Sequence, residues 1–71
     1  MDMIPVKSSN LKTVGYDERN KILEIEFHDG GRIYQYFDVP KDIFEELLNA
    51  PSLGKFHHRN IKKQFEYKRI K

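Results

Sequence analysis

Two tyrosines one residue apart, Tyr34 and Tyr36, and a basic run after Gly54 are the side chains whose types and spacing invite chemistry. Tyrosines at i and i+2 of a strand present two rings in a row, the arrangement by which sheet-based modules stack unpaired bases. The same rings on a buried face would simply supply packing area, and the burial argument favours that reading. Residues 55–71 carry seven Lys and Arg against Glu66 alone, a net charge of +6, while residues 1–54 sum to −4. Such clustering draws polyanions, nucleic acid above all, through counterion release. A solvated Lys-rich end is the plainer alternative. If nucleic acid is bound, Lys55, Arg59, Lys62, Lys63, Lys68 and Arg69 are expected to hold its phosphates, with Tyr34 and Tyr36 as the stacking candidates.

The other reactive residue types form no catalytic set. His57 and His58 are adjacent, so on a helix they point about 100° apart and do not chelate one metal, and His28 beside a turn reads as a surface residue. No metal site or cofactor is expected. Gly30-Gly31 lacks the Gly-Lys-Ser/Thr ending and the following helix of a phosphate loop. Ser8, Ser9 and Ser52 have no His/Asp relay, and Glu24 with Glu26 would act as a carboxylate pair only under a covering cleft. These residues do not predict an enzyme.

The elements that must position the tyrosines centre on Lys21–Pro40. Two apolar-alternating runs flank Asp29, Gly30 and Gly31, residues that tolerate positive φ, which predicts a β-hairpin with a two-residue loop at Asp29-Gly30 or Gly30-Gly31. Parity then places Leu23, Ile25 and Phe27 on one face with Tyr34 and Tyr36. Ile22, Glu24, Glu26, Ile33, Gln35 and Phe37 fall on the other. Leu11–Asp17 reads as an earlier strand, with Gly15 marking a bulge or a close approach. Together these give a three-stranded antiparallel meander.

A sheet this small needs a cover. Pro40 starts a helix whose Ile43, Phe44, Leu47 and Leu48 form one apolar stripe, expected on the Leu23/Ile25/Phe27/Tyr34/Tyr36 face, and Pro51 ends it. Ser52 is placed to cap a short second helix over residues 53–64, although Gly54 weakens it. The alternation of Phe65, Tyr67 and Arg69 lets the terminus add a strand to a sheet edge. The fold class is therefore α+β in one domain spanning residues 1–71, with residues 1–7 as a loose tail. There is no cysteine, which fits a cytoplasmic setting, and no stretch approaches the ~18 apolar residues of a membrane span.

Gly31-x-x-Tyr34-Gln35-Tyr36, then Val39-Pro40, an amphipathic helix, Ala50-Pro51-Ser52-x-Gly54-x-Phe56 and Ile61-Lys62 resemble the KTSC domain over residues 8–69. That family takes its name from the C-terminus of some lysyl-tRNA synthetases and also occurs as free-standing small proteins of bacteria and phages. The resemblance implies Tyr34 and Tyr36 as signature positions and an RNA-binding accessory role, and gives no role to Leu53, His57 or His58. Two functional expectations follow: an RNA-binding module, or a protein-interaction module or small homodimer using the Ile22/Ile33/Phe37 patch and free sheet edges, including a phage-type regulator of a host protein.

Overall fold

The computed structural model describes residues 1–71. Its sheet has five antiparallel strands in sequence order: β1 (Ile4–Pro5), β2 (Leu11–Asp17), β3 (Ile22–Phe27), β4 (Ile33–Tyr36) and β5 (Tyr67–Arg69). The expected three-stranded meander is thus the centre of a larger sheet. Residues 1–7 are not loose: Ile4 and Pro5 pair with Val14 and Thr13. They also explain Gly15, where a Cβ would lie 2.6 Å from Met3 Sδ and 2.9 Å from the Asp2 carbonyl oxygen. Gly15 marks a close approach by the N-terminal segment.

Strand pairing sets the faces. Leu23 opposes Tyr36 and Ile25 opposes Tyr34, while Val14 and Tyr16 oppose Ile25 and Leu23 from the other side. Paired residues share a face, so these six side chains project together. A bulge between Leu11 and Thr13 adds one residue to β2 and returns Leu11 to the same face despite its odd number. Leu11 and Val14 are both fully buried as a result.

The hairpin loop is longer than two residues. Phe27 N–H donates to the Arg32 carbonyl at 2.8 Å, leaving His28 to Gly31 as a tight helical turn. Positive φ falls on Gly30 (69°) and Gly31 (63°), whereas Asp29 stays in ordinary space. Pairing parity survives because lengthening the loop by one residue on each side preserves the register.

Two helical segments cover the tyrosine face where one was expected to suffice. α1 (Lys41–Asn49) follows an extended Pro40 and stacks Phe44 on Tyr16, with ring centroids 5.1 Å apart. Tyr16 Oη donates to the Val39 carbonyl at 2.5 Å, pinning the chain just before the helix starts. Leu47 is fully buried in the core with Leu23, Ile25, Tyr36, Val39 and Ile61, but Leu48 remains 37% exposed at the edge of the stripe. α2 (Leu53–Phe56) starts on Ser52, whose Oγ accepts from Lys55 N at 3.3 Å. It then widens through His57–Ile61 into a turn closed by an i to i+5 bond, Lys62 N–H to the His57 carbonyl at 2.9 Å. No helix is long and apolar enough to cross a membrane.

Leu47 and Leu48 are chemically identical neighbours on α1, so they separate burial from composition. Leu47→Ala is expected to destabilise the domain by about 2–5 kcal/mol in urea denaturation, and Leu48→Ala by less than about 1 kcal/mol. Similar losses for both would mean that α1 docks by a different face.

Candidate nucleic-acid interface

On the exposed end of the tyrosine face, five rings from four chain segments form one aromatic surface. Tyr34 and Tyr36 lie nearly parallel with centroids 6.4 Å apart, and Tyr67 of β5 tilts against both at 5.7 and 5.8 Å. Phe27 meets Tyr34 edge-on at 5.7 Å and His57 at 5.2 Å. The strand pairing brings Tyr67 opposite Tyr36. The wide turn after α2 lowers His57 onto the sheet.

The two signature tyrosines do not share an environment. Tyr36 is 2% exposed and belongs to the core, Tyr34 is half-buried, and Tyr67 is 57% exposed. Tyr36 Oη and His57 Nε2 are 2.7 Å apart in a hydrogen bond. Burial, with Tyr34 and Tyr67 adding to it, pushes the Tyr36 hydroxyl up to about 12. Burial likewise brings the His57 imidazole down to about 4, with the nearby Lys62 and His58 charges acting in the same direction. Both groups are therefore neutral near pH 7. A buried Tyr hydroxyl without an acceptor costs roughly 1–3 kcal/mol, so the favoured arrangement has Tyr36 donating to Nε2 and the imidazole proton on Nδ1.

Between this surface and the second helical segment lies a cleft of about 420 Å³. Phe27, Tyr34, Tyr36 and Tyr67 line the sheet side, and Gly54, His57, His58 and Lys62 the helix side. Gly54 has a local reason: a Cβ there would collide with the Asn10 amide, which lies at the end of the same cleft. Arg32 closes another side. Its guanidinium carbon sits 5.4 Å from the Phe27 centroid and 5.8 Å from that of Tyr34, its Nε donates to the Asp29 carbonyl at 3.2 Å, and Nη2 is 3.6 Å from the Asp29 carboxylate. That bracing holds a planar cation in one orientation.

The basic residues singled out from sequence do not form one patch. Lys62 lines the cleft, and Lys55 and Arg59 border an adjoining shallow depression with Ser52 and His58. Arg69 opposes Tyr34 and so lies on the tyrosine face, whereas Lys68 opposes Gln35 on the reverse face. Lys63 is exposed and lines neither recess. Arg32, His57 and Tyr67 were not legible as site residues. Tyr67 had a signal in the Phe65/Tyr67/Arg69 alternation, and His57 had one in standing four residues before Ile61, one helical turn apart. Glu24 and Glu26 lie away from the cleft, accepting from Gln35 Nε2 at 2.9 Å and Thr13 Oγ1 at 3.0 Å respectively. The Ile22, Ile33 and Phe37 side of the sheet is half-buried.

Fold and cleft together define a small α+β module: a five-stranded antiparallel meander with helical segments on one face and an aromatic, cation-edged recess between them. Comparison with known proteins gives the family. The KTSC domain profile matches residues 7–65, and the chain belongs to the KTSC domain family. It is 41% identical over 68 residues to a lysine–tRNA ligase of a Nostoc species, covering 96% of this chain and 12% of that enzyme, so it spans about an eighth of such relatives. It is 39% identical over 71 residues to a protein of Stutzerimonas stutzeri, covering 99% of both. The crystal structure of a KTSC domain protein from Yersinia pestis superposes with a TM-score of 0.93 at 37% identity, over 99% of this chain and 97% of that one.

The neutral Tyr36–His57 pair gives stability a pH signature at both ends. Unfolding returns His57 to about 6.5, so the unfolded chain binds the extra proton first as pH falls. Up to about 3 kcal/mol, fully present above pH 6.5, is then lost between pH 6.5 and about 4. Tyr36 acts oppositely: its contribution holds below pH 10 and is lost as pH rises toward about 12. Chemical denaturation across pH should show both limbs, and His57→Gln should flatten the limb between pH 6.5 and 4. An unchanged limb in that variant would refute the assignment.

Proposed function

We propose that this domain is a non-enzymatic accessory module that binds RNA, holding phosphates with the cations around the cleft mouth. The observation that carries the reading is that Lys62 and Arg32 both line a recess walled by aromatic rings. Single-stranded nucleic acid is held by this pairing, cations for the backbone and π-faces for the bases. Lys55 and Arg59 extend the positive rim along α2 and the wide turn, and Arg69 adds a charge beside Tyr34. Tyr36 supports the wall from within the core, so exposed stacking falls to Tyr34 and Tyr67. Three relatives bear the name lysine–tRNA ligase, and an enzyme name that includes tRNA supports the same reading. The lack of cysteine suits a cytoplasmic setting.

Fluorescence anisotropy with labelled single- and double-stranded RNA tests this. Binding should weaken steeply with salt, and Lys62→Glu with Arg59→Glu should reduce affinity for single strands at least about tenfold while lowering the salt slope by about 1 to 1.5. Absence of binding at low ionic strength rejects the reading. In that case sedimentation and pull-down would decide whether the domain self-associates or binds another protein.

A further inference from the structure

The cleft is too small for a duplex and has the wrong walls for one. Its volume of about 420 Å³ lies within the range of small-ligand pockets, roughly 300–1,000 Å³. Paired bases keep their faces stacked inside a helix, so a recessed aromatic wall is reached only by a base that is unpaired. The lining offers three kinds of contact. Tyr67 and Tyr34 present ring surface, the former largely open to solvent. Lys62 and Arg32 bring positive charge, and Arg32 keeps N–H groups beyond those directed at Asp29. The third is less obvious. His57 Nε2 is occupied by Tyr36, Nδ1 has no partner within the chain, and every sealed side-chain polar atom is satisfied, so Nδ1 is reached by solvent in a residue that lines the cleft. With Tyr36 donating to Nε2, Nδ1–H is a fixed donor.

The geometry points to a site for one unpaired nucleotide: its base lies against Tyr67 and Tyr34 and accepts a hydrogen bond from His57 Nδ1, and its phosphate is held by Lys62 and Arg32. This rests on the RNA reading above and narrows it from backbone attraction to a built pocket. Every nucleobase carries a ring nitrogen or carbonyl oxygen that meets an N–H donor, so the site selects an unpaired base over a paired one without choosing among bases. The neutral state of His57 suits it, because a charged imidazole would donate from both nitrogens and lose the Tyr36 hydroxyl's acceptor.

The test titrates the full chain with adenosine 5′-monophosphate, uridine 5′-monophosphate and ribose 5-phosphate, following the His57 and Tyr67 ring signals by NMR, beside a single-stranded oligoribonucleotide. Both nucleotides should shift those signals, ribose 5-phosphate should bind at least about tenfold more weakly, and Tyr67→Ala should weaken nucleotide binding about tenfold. Tyr67 is exposed on an edge strand, so the variant should fold; Lys62→Ala gives a second readout, weakening nucleotide and ribose 5-phosphate alike. Equal binding of ribose 5-phosphate, or no effect of Tyr67→Ala, overturns the base pocket. Oligonucleotide binding with no mononucleotide response also overturns it and leaves the RNA reading standing. Mononucleotide binding without oligonucleotide binding supports the pocket and removes the RNA reading.

Discussion

The hydrogen bond between Tyr36 and His57 is the contact on which the rest of the domain depends. Tyr36 sits in the core, and its hydroxyl needs an acceptor there. His57 supplies one only if it stays neutral and only if the chain after α2 turns its ring inward. The bond therefore sets the distance and angle between the sheet and the second helical segment. It also determines where Lys62, His58 and Gly54 stand relative to Tyr34 and Tyr67. The cleft is the space left over once that bond has formed.

The widened turn at His57–Ile61 is the backbone device that makes this work. His57 and Ile61, four residues apart and so on one side of the turn, both face the core, while His58, Arg59 and Lys62 remain outside. Turns of this kind cost hydrogen-bond geometry and recur at functional sites. Adjacent His57 and His58 illustrate the division: one ring is 8% exposed and the next is in solvent.

The sheet is organised by what covers each side. On one face, α1 packs at the Tyr16 end and the α2 segment at the Tyr36 end, and the uncovered remainder is the aromatic surface. On the reverse face, Met3 and Asp2 approach Gly15, and Glu24 and Glu26 accept polar cross-strand bonds from Gln35 and Thr13.

Much was determined by local residue pattern alone. Period-two alternation in β3 and β4 was enough to put Leu23, Ile25, Tyr34 and Tyr36 on one face, and it withstood an error in loop length because parity was unchanged. Ser52 was legible as a cap and Pro51 as a stop, since both act through their own backbone geometry. The bulge that turns Leu11 inward, the pairing of Ile4 and Pro5, and the different burial of Tyr34 and Tyr36 were settled by tertiary contact. So was the assembly of Arg32, His57, Lys62 and Tyr67 around one recess. Periodicity reports which side of an element a residue lies on, but not how far another element slides across it. Those four residues are joined only by that placement.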